Sequence, residues 1–251
     1  DPAFYFESAC HTEAYEHLLF GIKSRRGILC LTGEVGTGKT TLCRILLNKI
    51  GAHIRTAFIL NPSFSQLQLL QLIIKDLGIE PPRNNKLDLV SALNAFLLKE
   101  TEAGHNVAVI IDEAQNLNVR QLEQIRLLSN LETEKEKLLQ IILVGQPELL
   151  EKLKKPSLRQ LDSRISVRYH IRSLEEDEIG PYIRHRIRFA GGPDRLKFSP
   201  EALRRIFQIS KGTPRIINIL CEHALLAGFV NETWTIDEEI IKTCAKEALG
   251  A

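Results

Sequence analysis

Residues 33–40 read Gly-Glu-Val-Gly-Thr-Gly-Lys-Thr and satisfy G-x-x-x-x-G-K-[ST] at every fixed position. Such a segment suits a ligand with several anionic oxygens. Gly33, Gly36 and Gly38 let backbone N–H groups turn inward with no Cβ in the way. Lys39 is spaced to reach the β- and γ-phosphates of a nucleotide, and the Thr40 hydroxyl to ligate Mg²⁺. Thr37 and Thr41 complete the set of positions expected to contact ATP or ADP. A second group of chemically useful side chains follows the apolar run Val107-Ala108-Val109-Ile110-Ile111, where Asp112 and Glu113 stand side by side. Asp112 suits direct or water-mediated contact with Mg²⁺, and Glu113 the activation of an attacking water.

The two groups work together only if the fold brings them to one place. Short β-branched runs at 27–32, 55–60, 107–111, 138–144 and 166–171 read as strands, and runs this apolar suit a parallel sheet covered on both faces. Helical patterns lie between them at 40–50, 65–77, 87–102 and 119–132. The alternation predicts an α/β fold with a doubly wound, five-stranded parallel sheet. Ligands of such sheets bind at the carboxyl ends of the strands, which is where both groups fall. The helix opening after Thr40 adds the attraction of its positive end.

After Ile171 the pattern changes and no convincing strand follows. Ser173 with Glu176 and Thr235 with Glu238 have capping-box spacing, and Ser199-Pro200 and Thr213-Pro214 place a cap residue before a proline. Four short helices in a small helical bundle are therefore expected. The boundary belongs near Arg172, giving an α/β domain over 1–172 and an all-helical domain over 173–251.

The 251 residues are 44% apolar and 25% charged with a net charge of +2, which excludes intrinsic disorder and bulk attraction to nucleic acid or anionic lipid. Apolar runs reach only about five residues, against ~20 for a membrane span. Residues 1–9 have neither the basic start nor the apolar stretch of a signal peptide. Five scattered cysteines, with no C-x-x-C pair, fit a reducing compartment and argue against a zinc site. The absence of methionine reads as a domain taken from a longer protein.

With these motifs the chain resembles the AAA+ ATPases, and within them the general secretion pathway protein A (ExeA-type) branch. The blocks that carry the resemblance are GEVGTGKTTL at 33–42, IIDEAQNL at 110–117, LEQIRLLSNLET at 122–133, LLQIILVGQPEL at 138–149, RQLDSRI at 159–165 and GTPRIINILCEHAL at 212–225. The resemblance implies further roles. Asn61, after the second strand, matches the polar residue that holds the catalytic glutamate. Gln146 matches the polar sensor beside the loop, and Arg215 the arginine of the lid. Arg164 matches the arginine finger that such proteins supply to a neighbouring subunit, with Arg159 and Arg168 as alternatives. His11 lies where such ATPases cover the adenine, but it reads equally well as a helix-start histidine.

What the resemblance implies for function is a cytoplasmic ATPase that assembles envelope secretion machinery. It would act as a homo-oligomer, either a ring or a nucleotide-dependent dimer, with a membrane-protein partner. Tethering to the inner membrane would use a segment that this chain lacks. The alternative is an ATPase of the DNA-transposition or origin-recognition type, which shares this core. Lys152, Lys154, Lys155, Arg159, Arg164, Arg168, Arg172, Arg184, Arg186 and Arg188 could track phosphates in nucleic acid or line a subunit interface.

Overall fold

The computed structural model describes residues 4–60, 65–81, 83–134 and 136–249. Its elements run α1 (Ala9–Lys23), β1 (Ile28–Gly33), α2 (Lys39–Lys49), β2 (Ile54–Ile59), α3 (Gln66–Asp76), α4 (Lys86–Glu102), β3 (Asn106–Ile111), α5 (Val119–Leu128), β4 (Gln140–Gly145), α6 (Pro147–Leu153), α7 (Arg159–Asp162) and β5 (Ile165–Ile171). They continue with α8 (Glu176–Phe189), β6 (Lys197–Phe198), α9 (Pro200–Ser210), α10 (Pro214–Val230), β7 (Thr235–Ile236) and α11 (Glu238–Leu249). Two compact units emerge. One holds Thr12–Gly33 and Leu42–Ile171; the other holds the described residues of Asp1–His11, Glu34–Thr41 and Arg172–Ala251.

In the first unit, five parallel strands stand in the order β2-β3-β4-β1-β5. Every residue of β1, β3 and β4 is buried, as a sheet covered on both faces requires. Strand β5 lies at the margin and alternates buried or half-buried with exposed positions. Pairing Ile28 with Ile141, Ala108 with Gln140 and Ile54 with Asn106 brings the strand ends into line. Gly33, Ile59, Ile111 and Gly145 thus end at one rim of the sheet. The core beneath includes Val109, Ile111, Leu143, Leu70, Leu93 and Leu122. Helix α5 is shorter than its apolar pattern predicts, stopping at Leu128 rather than 132. Glu132 instead forms an isolated antiparallel bridge with Lys137.

The second unit carries the four expected C-terminal helices around Leu174, Ile179, Ile206, Ile217, Leu220 and Ile241. Between these helices lie β6 and β7, two-residue strands paired in parallel, too short to leave a periodic signature. Two helix starts differ from the sequence reading. The capping box of α8 is Glu175 with Glu178, not Ser173 with Glu176. Thr235 belongs to β7, and the backbone N–H of Ile240 is instead accepted by Asp237 Oδ1 at 3.0 Å. Gly212 is fixed by geometry: its φ is +74°, and a Cβ there would lie 1.9 Å from the Leu174 carbonyl oxygen. All five cysteines are free.

Candidate functional site

The phosphate-loop motif begins at the last residue of β1 and ends in the first turn of α2. Gly36 and Gly38 adopt φ values of +83° and +93°, the left-handed region that disfavours any side chain. Space opposes one as well. A Cβ on Gly36 would approach Arg215 Cβ to 2.6 Å, and one on Gly38 would approach His11 Nε2 to 3.1 Å. The Glu34 carbonyl gathers three donors: the Thr37 N–H at 3.3 Å, the Thr37 hydroxyl at 2.8 Å and the Lys39 ammonium at 2.8 Å. Thr37 is wholly buried and Lys39 only 7% exposed. Thr40 and Thr41 stand in the first turn of α2.

Two carbonyls of the turn are served from elsewhere in the same unit. The backbone N–H of Arg215, in the first turn of α10, donates to the Gly36 carbonyl at 3.3 Å. The structure therefore brings Arg215 to the loop through its backbone, while its side chain is exposed. His11 meets the Thr37 carbonyl at 2.8 Å and the Ser8 hydroxyl at 2.7 Å. Burial holds the His11 pKa below the usual histidine value, partly offset by the Thr37 carbonyl and the charge of Glu178.

In the unit containing the sheet, Asp112 and Glu113 follow β3 at the rim. Asp112 is 1% exposed. Its N–H donates to the Ile59 carbonyl at 2.9 Å, and its Oδ1 accepts the Glu113 N–H at 2.9 Å. Glu113 has φ +53°, unusual for a residue with a side chain. Its Oε2 accepts hydrogen bonds from Gln115 Nε2 and, at 3.4 Å, from Gln146 Nε2. The Gln115 Oε1 in turn accepts the Gln146 N–H at 3.1 Å. Two of the residues singled out in the sequence, Glu113 and Gln146, are thus in contact. The Lys152 ammonium braces this turn from α6 by donating to the carbonyls of Gln115 and, at 2.8 Å, Leu117. Burial lowers the Lys152 pKa, and the charge of Lys155 acts the same way.

Gln115 and Lys152 went unassigned in the sequence. Gln115 lies two residues after Glu113 inside the block IIDEAQNL, yet nothing in its spacing distinguishes a buttressing amide from a solvated one. Lys152 reads as one cation in a basic run. Asn61 lies outside the described residues. Among the arginines near β5, Arg164 is exposed and donates to Asn130 Oδ1, and Arg168 is paired with Asp162 at 2.9 Å. Arg159 is exposed, and its guanidinium has no hydrogen-bond or ion-pair partner among the described residues.

Residues 22–153, which hold both motifs, match the AAA domain family. The chain is also 40% identical, over all 251 residues, to general secretion pathway protein A of Aeromonas hydrophila. It belongs to the AAA family, in the branch of that protein. The AAA chain spans 46% of the Aeromonas protein, about half its length. Solved structures of similar fold include the ORC2 protein of Aeropyrum pernix in ADPNP–ADP complexes (TM-score 0.67, 18% identity, 96% of this chain and 67% of that one). CDC6p of Pyrobaculum aerophilum gives a TM-score of 0.71 at 20% identity, over 98% of this chain and 70% of that one. The RuvB Holliday junction branch migration motor of Thermotoga maritima gives 0.63 at 16% identity, over 94% and 68%. At these identities the likeness concerns the fold, a P-loop α/β sheet with helices.

Proposed function

We propose that this AAA domain binds ATP and hydrolyses it to ADP and phosphate. The observation that carries the reading is the loop between β1 and α2, in which Gly36 and Gly38 take left-handed backbone and Lys39 closes the turn. Amides freed of Cβ atoms, a fixed ammonium and a helix start make a binding place for phosphate oxygens.

The donor set fits Mg²⁺, a hard cation that takes oxygen ligands and keeps several waters. Thr40 offers a hydroxyl and Asp112 a nearly inaccessible carboxylate. When bound, the cation neutralises charge on the phosphate oxygens. In this reading Lys39 holds the β- and γ-phosphates, and Glu113 accepts the proton of the attacking water. Gln115 and Gln146 hold the Glu113 carboxylate in one orientation until it is used. Arg215 reads the γ-phosphate from α10, and Arg164 completes the site of a neighbouring subunit, with Arg159 as its rival. A shared site of this kind makes the active form a homo-oligomer, either a ring or a nucleotide-dependent dimer.

From the likeness to the Aeromonas protein we take the cellular role to be assembly of secretion machinery from the cytoplasmic side, with a membrane-protein partner. No helix among the described residues is long and apolar enough to cross a membrane. The deciding experiment is phosphate release from Mg-ATP as protein concentration is raised. Turnover per subunit that climbs with concentration supports a shared ATPase site. Release no greater than that of Lys39→Ala at every concentration refutes hydrolysis.

A further inference from the structure

We propose that His11 is a positioning residue of the phosphate loop, its Nε2–H donated to the Thr37 carbonyl to keep the loop amides turned inward. The inference rests on the nucleotide-binding reading above and extends it to a residue outside both motifs.

A loop whose N–H groups face a ligand must point carbonyls the other way, and buried carbonyls need donors. The Glu34 carbonyl finds its donors within the loop itself. Gly36 and Thr37 do not: the first receives the Arg215 N–H, the second the His11 ring. A carbonyl only accepts, so the proton resides on His11 Nε2 and the Ser8 hydroxyl donates to Nδ1. That pairing specifies one neutral tautomer, and the burial that lowers the ring's pKa favours the same form.

The ring is itself held in place. His11 is 5% exposed in the first turn of α1, and its own N–H donates to Ser8 Oγ at 3.3 Å, so Ser8 both caps the helix and orients the imidazole. The Tyr5 ring meets His11 edge-on at 5.8 Å. The preceding arm is seated on α8 by Phe6 against Tyr182 at 5.6 Å and Phe4 against Phe189 at 4.9 Å. Gly38, with φ +93°, leaves room for the imidazole where a Cβ would crowd it. A histidine that merely began a helix would need neither the carbonyl nor this clearance.

The test compares His11→Leu with His11→Gln, whose side-chain amide carries a donor at nearly the same reach as Nε2. Hydrogen exchange of residues 33–42 without nucleotide should quicken about tenfold in His11→Leu, the equivalent of one buried hydrogen bond, and stay near wild type in His11→Gln. A fluorescent ATP analogue with Mg²⁺ should bind His11→Leu about tenfold more weakly and His11→Gln within about threefold of wild type. Ser8→Ala keeps the ring but frees it, and should reproduce part of both losses should the leucine variant fold poorly. Equal loop exchange in all the variants overturns the proposal, and so does wild-type nucleotide affinity in His11→Leu. If wild type itself binds no nucleotide, the functional reading fails, while the exchange comparison still decides the role of His11.

Discussion

Glu113→Gln is the substitution that most directly probes the proposed chemistry. The amide is nearly isosteric with the carboxylate, so Gln115 Nε2 and Gln146 Nε2 keep an oxygen to donate to, and the backbone at φ +53° is undisturbed. Only the proton acceptor is lost. A positioned general base contributes ~10²–10⁴ in rate, which at ~1.4 kcal/mol per decade raises the barrier by ~2.7–5.5 kcal/mol. Phosphate release should fall by that factor while a fluorescent ATP analogue binds as before. Glu113→Gly is the companion. Relief of left-handed strain, ~1–2 kcal/mol, is partly offset by the ~0.5–1 kcal/mol that glycine costs on ordering. The hydrogen bonds lost from Gln115 and Gln146 oppose the remaining gain, so its folding stability should stay within about 1 kcal/mol of wild type, with hydrolysis equally lost. Turnover of Glu113→Gln within about threefold of wild type would falsify the assignment, as would loss of nucleotide binding.

Lys39→Ala should bind the same analogue ~10–100-fold more weakly, since a charge-assisted hydrogen bond is worth ~1.5–3 kcal/mol; titration at constant salt reads this, and unchanged affinity removes Lys39 from the phosphate site. Gly212→Ala should destabilise by ~3 kcal/mol, because its Cβ would fall 1.9 Å from the Leu174 carbonyl oxygen and strain the 3.0 Å hydrogen bond from the Leu174 N–H to the Gly212 carbonyl; a denaturation midpoint equal to wild type contradicts that packing. Arg164→Ala should lose ~10³-fold or more in hydrolysis if it supplies a finger in trans, and mixing it with Glu113→Gln should restore activity at interfaces that pair an intact arginine with an intact base. Full activity of Arg164→Ala alone transfers the role to Arg159, whose guanidinium has no partner among the described residues.

The loop motif, the strand runs and the acidic pair were legible in the sequence because each depends on local chemistry. Left-handed turns favour glycine, buried parallel strands need unbroken apolar runs, and proline marks the starts of α9 and α10. Their order along the chain was enough to expect both motifs at the carboxyl ends of a parallel sheet. Tertiary structure decided what depends on partners distant in sequence. Glu113 is held by Gln115 and Gln146, 33 residues away for the latter, and His11 reaches Thr37 across 26 residues. The Gly36 carbonyl is answered by the N–H of Arg215, at the far end of the chain. The caps of α8 and α11 shifted for the same reason. Capping-box spacing recurs at Ser173 and Thr235, but Glu175 and Asp237 occupy the caps once neighbouring segments are in place. A hydrogen bond between distant residues leaves no period in a sequence, so a buried polar side chain reads like a solvated one until folding supplies its partner.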